Sequence, residues 1–355
     1  MPTLLIMAGG TGGHVMPGLA VAAEMQRRAW DVVWLGSAQG MEAALVAQRG
    51  IRMESVSVAA ARGRSFRQML VLPFKLTRAF WQSLRALQRV KPAVVLGMGG
   101  YVAFPGGMMA SLLNRPLVIH EQNSVVGLTN KILAKLADTV MVAFPEAIPK
   151  AAWTGNPVRS EMLTLPTPAS RFEGRTGAFK ILVVGGSLGA QALNSTVPKA
   201  VALLPRAARP QITHQSGQAH LQGLENEYRQ AGVEATCVDF IEDIAQAYAE
   251  ADLVICRAGA MTVSELAAVG VASILVPFPH AVDDHQTTNA KYLSDAGAGI
   301  LMDQAALTPD RLATLLRGLD RAVLLGMAEK ARKLAKPLAT QAVADACVAL
   351  ARAAD

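Results

Sequence analysis

Cysteine is scarce in this chain of 355 residues, and the three that occur, Cys237, Cys256 and Cys347, lie far apart. No Cys-x-x-Cys pair and no Cys/His spacing typical of a zinc site is present. The sequence therefore predicts neither a disulfide framework nor a structural zinc site. This cysteine usage is typical of proteins from a reducing compartment.

Long hydrophobic runs and several chemical signatures are also missing. No run of 18 or more hydrophobic residues occurs and no charged leader precedes an apolar segment, so we expect neither a membrane-spanning helix nor a signal peptide. The Gly-Lys-Ser/Thr ending of a P-loop is absent, which excludes the usual ATP-binding loop. No Asp-x-Asp pair, with which many sugar-nucleotide enzymes hold Mn²⁺ or Mg²⁺, occurs either.

Charged residues make up only 17% of the chain, but the basic ones predominate and give a formal net charge of +7. The hydrophobic share of 52% predicts folded domains rather than disorder. The positive excess predicts an anionic partner: nucleic acid, a phosphate-bearing substrate or membrane lipid. Nucleic acid is the weakest of these, because no recognised nucleic-acid-binding motif accompanies the charge.

Two halves of the chain begin in the same way. An apolar segment, a glycine turn and a helical pattern occur in "TLLIMAGGTGGHVMPGLAVAAEM" and again in "FKILVVGGSLGAQALNSTVPKAVALL". Short apolar segments then alternate with helical patterns, as expected for parallel sheets covered by helices on both faces. We therefore predict an α/β protein with two Rossmann-like, doubly wound domains that face a cleft, residues 1–158 and 159–337.

The glycine turns indicate phosphate binding. A strand that ends in glycines and continues into a helix directs N–H groups and the positive helix end toward an anion. The dinucleotide fingerprint is not met, because Val15 replaces its third glycine and the next strand, "VVWLGSAQG", ends without the acid that holds an adenine ribose. The turn with Gly185, Gly186 and Gly189 departs from the fingerprint too. NAD binding is thus the weaker alternative.

Two further segments follow apolar strands in the first half. They are "GMGGYVAFPGG" from Gly97 and "HEQN" from His120. Ligands of open α/β sheets bind at the carboxyl ends of the strands, so we expect both segments to line a site. The alternative for the glycine cluster is a simple tight turn.

His14 stands where the first glycine turn becomes a helix. A single histidine is often structural. Beside a phosphate loop, however, a neutral imidazole with an ordinary pKa of ~6.5 suits the removal of a proton from an attacking hydroxyl. His14 is therefore the candidate general base, with phosphate binding as the alternative role.

Seven motifs occur along the chain in one order: "GGTGGH", "GMGGY", "HEQN…GLTNK", "TGNPVR", "GGSLGA", "CRAGAMTVSE" and "VPFPHAVDDHQTTNA". Together they closely resemble the MurG family of bacterial peptidoglycan N-acetylglucosaminyltransferases, and the resemblance runs from Met7 to the C-terminal helix. One departure is Ala103-Phe104, where the family usually has Ser-Gly. This departure concerns the acceptor side.

The resemblance implies a GT-B glycosyltransferase that moves GlcNAc from UDP-GlcNAc to the C4 hydroxyl of the muramyl sugar of lipid I. The product would be lipid II, formed with inversion at the anomeric carbon. The resemblance also implies that the C-terminal helix, residues 338–355, packs back on the first domain.

The resemblance implies a role for individual residues as well. Ser187 and a helix start are assigned to the donor diphosphate, Glu265 to the ribose hydroxyls and Ile241 to uracil. The donor-binding set as a whole is Thr11, Gly12, Gly13, Asn123, Arg159, Ser187, Ile241, Ala260, Met261, Thr262, Val263, Ser264, Glu265 and Gln286. Because the second half already supplies a complete nucleotide site, we assign the first glycine turn to the acceptor pyrophosphate. The acceptor set is Gly9, Gly10, Gly12, Gly13, Gly99, Gly100 and Tyr101.

The segment "ARGRSFRQMLVLPFKLTRAFWQSLRAL" interleaves basic residues with aromatic and aliphatic ones. Such a segment suits an anionic bilayer surface, and a core helix with a solvated basic face is the alternative. Because lipid I is anchored in the membrane, we favour the membrane surface. The residues expected to contact it are Phe66, Leu70, Phe74, Lys75, Arg78, Phe80 and Trp81.

The partners expected on this basis are UDP-GlcNAc, lipid I and the cytoplasmic face of the plasma (inner) membrane, to which the protein would attach peripherally. Cell-wall and division proteins are further candidates. We expect no tightly bound metal or other cofactor, and helix ends with a cation such as Arg159 or Arg257 would stabilise departing UDP. Two alternatives remain: a UDP-GlcNAc 2-epimerase, which needs no lipid acceptor, and a non-catalytic membrane scaffold.

Overall fold

The computed structural model describes residues 1–57, 72–186 and 189–354, which form two compact units. The first unit comprises Met1–Arg159 together with Lys336–Asp355, and the second comprises Ser160–Ala335. Each unit is built around one parallel sheet.

In the described part of the first unit, the sheet has the order β3-β2-β1-β4-β5-β6-β7. Its strands are β1 (Thr3–Ala8), β2 (Asp31–Gly36), β3 (Arg52–Ser55), β4 (Val94–Gly99), β5 (Leu117–Glu121), β6 (Thr139–Val142) and β7 (Ala152–Trp153). The helices of this unit are α1 (Gly12–Arg27), α2 (Met41–Gln48), α3 (Leu72–Val90), α4 (Ala103–Leu112), α5 (Leu128–Leu133) and, from the C-terminus, α15 (Ala339–Ala354).

The second unit repeats the plan with the order β10-β9-β8-β11-β12-β13. Its strands are β8 (Lys180–Val184), β9 (Gln211–Gln215), β10 (Thr236–Val238), β11 (Leu253–Cys256), β12 (Ala272–Leu275) and β13 (Ile300–Leu301). Its α-helices are α6 (Ser160–Leu163), α7 (Pro168–Phe172), α8 (Gln191–Ala202), α9 (Leu221–Ala231), α10 (Ile244–Glu250), α11 (Ala260–Val269), α12 (His285–Ser294), α13 (Pro309–Arg317) and α14 (Arg321–Lys333).

The central strands are apolar on both faces, which is why helices cover both sides of each sheet. Every residue of β4 and of β11 is buried. The prediction of two doubly wound parallel-sheet domains is confirmed. The strands β3, β7 and β13 carry no sequence signal because they are short edge strands, and Arg52–Ser55 has an exposed and half-buried surface instead of an apolar one.

The C-terminal helix α15 packs on the first unit. Val343, Ala344 and Cys347 are fully buried in the same hydrophobic cluster as β1. Arg28, the C-cap residue of α1, adds an ion pair of 2.6 Å to Asp345. The chain therefore returns to its first unit after the second one is complete.

The strand order places the glycine turns where open α/β sheets bind ligands. β1 lies between β2 and β4, and β8 lies between β9 and β11. In each sheet the strand order therefore reverses its direction beside the first strand. The crevice outside the carboxyl ends of the strands at such a point is the usual ligand position. Among the described residues, no helix is both long and apolar enough to cross a membrane.

Candidate functional site

The first glycine turn leads from β1 directly into α1. The N–H groups of His14 and Val15 both donate to Thr11 O, at 3.1 and 3.2 Å. The N–H groups of Gly12 and Gly13 precede them at the positive end of the helix. These two groups are therefore the ones placed to bind an anion.

The turn after β4 lies against this first turn. Gly99 and Gly100 have φ values of +95° and +80°, which favour glycine. A Cβ on Gly100 would lie 2.1 Å from Gly9 O, and a Cβ on Gly10 would lie 3.0 Å from Cε1 of Tyr101. Only glycine permits this approach. We call the resulting surface the glycine cradle: Gly9, Gly10, Gly12, Gly13, Gly99, Gly100 and Tyr101.

His14 is half-buried beside the glycine cradle. Its Nδ1 lies 3.0 Å from Thr11 Oγ1. A Cβ on Gly99 would lie 2.8 Å from His14 Cδ2 and 3.1 Å from His14 Nε2, so the bare backbone of Gly99 makes room for this edge of the ring. When Nδ1–H donates to Thr11, Nε2 is an acceptor and can take a proton.

Glu42, which the sequence did not single out, lies buried under the glycine cradle. Its Oε1 accepts from Ser37 N at 2.9 Å and its Oε2 from Gly10 N at 3.4 Å. A Cβ on Gly9 would lie 2.5 Å from Oε1, and one on Gly40 would lie 2.2 Å from Oε2. The N–H of Gly10 is therefore directed inward. The only sequence signal was an acid in the first turn of an apolar helix.

Three of the four polar residues at the end of β5 face the interior. His120, Glu121 and Gln122 are at most 1% exposed. His120 Nε2 donates to Gly155 O at 2.9 Å, while its Nδ1 accepts from Gln122 Nε2 at 3.1 Å. The expectation that this segment as a whole lines a site is therefore wrong for these three. They hold neighbouring loops instead.

Asn123 is the half-buried member of this segment. Glu121 accepts from the Asn123 N–H and from Asn130 Nδ2, both at 2.9 Å. Burial raises the pKa of the Glu121 carboxyl above its ordinary range, and these hydrogen bonds act against that shift. Asn130 also donates to His120 O at 3.2 Å, and its Nδ2 would lie 3.2 Å from a Cβ on Gly99. This network therefore reaches the glycine cradle.

The second unit has its own glycine turn after β8. Gly186 and Gly189 have φ values of +84° and +75°, and Gly189 N donates to Gly186 O at 2.9 Å. A Cβ on Gly189 would lie 2.1 Å from Ser216 O, so this turn too depends on a close backbone approach. Ser187, expected to contact the donor diphosphate, lies outside the described residues.

Helix α11 starts at a tight turn behind β11. Gly259 is its N-cap residue and supplies no side chain, so the positive helix end consists of backbone N–H groups. The first of these belong to Ala260, Met261 and Thr262. This arrangement suits an anion at the helix start.

Val263 and Ser264 are engaged within α11. The Val263 side chain is fully buried and its N–H donates to Gly259 O at 2.9 Å. Ser264 Oγ donates to Ala260 O at 2.9 Å. The Val263 N–H and the Ser264 hydroxyl proton are therefore engaged within the helix, and the predicted donor contacts of these two residues cannot use them in this conformation.

Glu265 lies one turn into α11 and is half-buried. Burial, and secondarily the charge of Glu265, raises the pKa of the Cys256 thiol to about 12. Asn289, another residue that the sequence did not single out, is fully buried and donates to Ala258 O at 3.3 Å. It fixes the turn between β11 and α11.

The sequence suggested Arg257 as a cation for departing UDP, but its guanidinium is engaged by other residues of the second unit. Its Nη1 donates to Val276 O at 3.2 Å and its Nη2 to Gln304 Oε1 at 2.6 Å. Burial lowers the pKa of its guanidinium. Gln286, also expected at the donor, accepts from Phe278 N at 3.0 Å and so holds the loop after β12.

A second candidate surface is the exposed face of α3. Phe74 and Trp81 are 76% and 54% exposed, and Lys75 and Arg78 are exposed beside them. The Arg85 guanidinium lies 4.4 Å from the centroid of the Trp81 ring. The opposite face of α3 is buried in the core: Ala79, Ser83, Ala86 and Leu87. The helix thus has one core face and one basic aromatic face.

Phe80 does not belong to this exposed face. It is half-buried, and its ring lies edge-on against Phe104 of α4, with 5.8 Å between the centroids. The prediction of a membrane contact for Phe80 is corrected accordingly. Phe66 and Leu70, predicted with it, lie outside the described residues.

The remaining predicted residues divide between the units. Arg159 is half-buried at the end of the first unit, and Ile241 is half-buried after β10 in the second. Within residues 1–57, 72–186 and 189–354, no three His, Cys, Asp or Glu side chains form a group that could hold a metal ion. The expectation that no metal is tightly bound stays a prediction.

Two family models match this chain. Residues 4–142 match the glycosyltransferase family 28 N-terminal domain, and residues 180–346 match the glycosyltransferase family 28 C-terminal domain. Each match covers most of one parallel sheet.

Similar proteins match over nearly the full length. A Cupriavidus metallidurans protein is 60% identical over 349 residues, which are 98% of either chain. A Dechloromonas aromatica protein is 57% identical over 350 residues, which are 99% of either chain. Both are named UDP-N-acetylglucosamine--N-acetylmuramyl-(pentapeptide) pyrophosphoryl-undecaprenol N-acetylglucosamine transferase.

Solved structures agree with these matches. The crystal structure of Acinetobacter baumannii MurG is 41% identical, with a TM-score of 0.85 over 98% of this chain and 100% of that one. The glycotransferase of kitacinnamycin is 18% identical, with a TM-score of 0.70 over 98% of this chain and 99% of that one, so it shares the fold.

The buried His120 predicts a pH dependence of stability. Burial lowers its pKa to about 4, so between pH ~6.5 and ~4 the unfolded chain binds one more proton than the folded one. The contribution of His120 to the free energy of unfolding should therefore fall by about 1.4 kcal/mol per pH unit as the pH drops through this window. All four tryptophans lie in the first unit, so urea titrations followed by their fluorescence report its unfolding.

A His120→Gln variant keeps an N–H donor for Gly155 O but takes up no proton. It should lose this part of the pH dependence, whereas His280→Gln, at an exposed histidine, should keep it. An unchanged dependence in His120→Gln would contradict the assignment.

Proposed function

The chain belongs to glycosyltransferase family 28, and we infer from this membership that it transfers N-acetylglucosamine from UDP-N-acetylglucosamine to N-acetylmuramyl-(pentapeptide) pyrophosphoryl-undecaprenol. The acceptor is lipid I and the product is lipid II. The enzyme thus acts in peptidoglycan synthesis. Its two parallel-sheet domains are those of a GT-B glycosyltransferase.

The observation that carries this function is the position of His14 at the glycine cradle. The cradle offers the Gly12 and Gly13 N–H groups and a positive helix end, which suit the acceptor pyrophosphate. His14 stands beside them with Nε2 next to the bare backbone of Gly99. A phosphate site and a proton acceptor are therefore adjacent in the unit assigned to the acceptor.

The second unit supports the donor assignment. Its glycine turn after β8 and the start of α11 are both at carboxyl ends of neighbouring strands, where a diphosphate finds N–H groups and positive helix ends. Glu265, one turn into α11, takes the ribose hydroxyls in our proposal. The Ile241 backbone contacts uracil in this proposal. A contact of Arg159, the last residue of the first unit's main segment, with the nucleotide stays a prediction.

In the proposed transfer, His14 is the base that removes the proton of the attacking hydroxyl. The C4 hydroxyl oxygen of the muramyl sugar attacks the anomeric carbon of GlcNAc, and the bond from that carbon to the UDP oxygen breaks. The hydroxyl proton passes to His14 Nε2, while Thr11 Oγ1 accepts from Nδ1–H and holds the ring. Attack opposite the leaving group inverts the configuration. Helix ends stabilise the charge that develops on UDP.

We further propose that α3 attaches the protein to an anionic membrane at the cytoplasmic face of the inner membrane. Phe74 and Trp81 supply apolar surface, and Lys75, Arg78 and Arg85 supply charge on the same exposed face. A helix that is basic and aromatic on one side lies in the interface plane. The enzyme would then encounter its undecaprenol-linked acceptor at the membrane in which the acceptor is anchored. Cell-wall and division proteins stay a prediction as partners.

Release of UDP should require both substrates. With UDP-GlcNAc and a lipid I analogue, the purified protein should release one UDP for each disaccharide product, and with UDP-GlcNAc alone it should release none. Coupled detection of UDP together with mass spectrometry of the product measures this. A 2-epimerase would convert UDP-GlcNAc without an acceptor, and a scaffold would produce neither UDP nor disaccharide.

His14→Ala should lower kcat by ~10²–10⁴-fold, the usual contribution of a general base, while the affinity for UDP-GlcNAc stays nearly unchanged. Steady-state kinetics at saturating acceptor and calorimetric titration of the donor measure the two quantities. Thr11→Val should have a smaller effect in the same direction, because it removes only the partner of Nδ1. Recovery of normal kcat at saturating lipid I would reassign His14 to phosphate binding.

Removal of the exposed basic and aromatic face should release the protein from anionic vesicles. The variant carries Phe74→Ser, Trp81→Ser, Lys75→Gln and Arg78→Gln. Because each basic residue near such a surface contributes ~1 kcal/mol, loss of the two charges alone should lower binding roughly 30-fold. Vesicle sedimentation measures the binding, and turnover of a water-soluble acceptor should be spared.

A matched control changes four exposed residues of the second unit in the same way: Leu203→Ser, Val323→Ser, Lys180→Gln and Arg206→Gln. This control should keep the binding of the wild type. Equal binding by both variants would contradict α3 as the attachment site, and loss of folding in the first variant would show that its residues belong to the core.

A further inference from the structure

We propose that Gln215 is a positioning residue of the donor site. It holds the glycine turn after β8 in a fixed position relative to the segment after β10, which we call the uracil segment (residues 239–241). The inference rests on the proposed function. Gln215 is the last residue of β9 and is only 4% exposed. Its side chain joins two loops that are far apart in the chain.

Gln215 holds both polar groups of Gly186. Its Oε1 accepts from Gly186 N at 3.2 Å, and its Nε2 donates to Gly186 O at 3.1 Å. The same carbonyl accepts from Gly189 N at 2.9 Å, which closes the turn. Gly186 has φ +84°, and a Cβ there would meet open space. The Gln215 amide, rather than steric contact, therefore fixes how Gly186 is oriented.

The second connection runs to the segment that follows β10. Gln215 Nε2 also donates to Asp239 O at 3.2 Å. Asp239 stands two residues before Ile241, whose backbone we assign to uracil. Its neighbour Phe240 is 63% exposed and contributes little packing to this segment. A single amide group therefore couples the diphosphate turn to the uracil segment.

The strand end that carries Gln215 is itself held rigidly. Ser216 O accepts from Asn194 Nδ2 at 3.2 Å, and Asn194 Oδ1 is 3.1 Å from Nε2 of the buried His214. The other nitrogen, His214 Nδ1, lies 2.9 Å from the hydroxyl of Tyr228. A neutral imidazole satisfies both contacts, since one nitrogen donates and the other accepts. These buried hydrogen bonds thus hold the end of β9, and with it the backbone of Gln215, in place.

Two substitutions separate this role from simple packing. Gln215→Met keeps the length of the side chain but forms none of the three hydrogen bonds. Gln215→Glu keeps an acceptor for Gly186 N and turns a carboxylate oxygen toward two carbonyl groups. Gln211→Glu is the matched control, because it makes the same change at the exposed first residue of the same strand.

Calorimetric titration with UDP, steady-state kinetics and the midpoint of thermal unfolding are measured for all four proteins. We expect Gln215→Met to raise the Kd for UDP and the KM for UDP-GlcNAc about tenfold, and Gln215→Glu to raise them further. The KM for the lipid I analogue and kcat at saturating substrates should stay within threefold of the wild type. Gln211→Glu should match the wild type throughout.

The inference would be overturned if both Gln215 variants bound UDP like the wild type. It would also be overturned if both substrates' KM values rose together with a fall in the unfolding midpoint, since that pattern marks a general structural role. A wild-type protein that neither binds UDP nor turns over would instead contradict the proposed function itself. The two failures are therefore distinguishable.

Discussion

Both candidate sites depend on backbones that approach too closely for any side chain. In the first unit a Cβ on Gly100 would lie 2.1 Å from Gly9 O, and in the second a Cβ on Gly189 would lie 2.1 Å from Ser216 O. Neighbouring parallel strands bring their following turns together at one sheet edge. Glycine is the residue that lets these turns touch, and so the N–H groups of two loops can serve one phosphate-bearing ligand.

In each unit a buried polar side chain holds the backbone of the glycine turn, but the chemical group differs between the two units. A carboxylate, Glu42, holds Gly10 in the first unit, and an amide, Gln215, holds Gly186 in the second. Glu42 only accepts and therefore leaves the carbonyl of its glycine to other partners. Gln215 both accepts and donates, so it fixes the N–H and the C=O of Gly186 together. Each turn is shaped from beneath, while its outer face stays available to a ligand.

Much of this could be predicted from the sequence, because the signals were local. Apolar strands, glycine turns and the position of His14 are visible within short segments, and the fold class follows from their alternation. The supporting residues could not be predicted in this way. Glu42, Asn130, Gln215 and Asn289 act through hydrogen bonds to backbone groups of other segments, at sequence separations that no local pattern reveals. His120, Glu121 and Gln122 were misjudged because a polar run at the end of a strand has the same sequence pattern whether it faces a ligand or the interior.

The contact between Phe80 and Phe104 has a consequence for how an acceptor is found. Phe80 precedes the exposed Trp81 in α3, and Phe104 lies in the first turn of α4, whose Ala103 N donates to Gly100 O at 3.2 Å. The helix that carries the aromatic face thus packs directly on the helix that follows the glycine cradle. A protein resting on a bilayer through α3 would carry its cradle at a constant height above the lipid. Encounter with a polyprenyl-linked sugar would then become a search in two dimensions, in which lateral diffusion would bring enzyme and acceptor together.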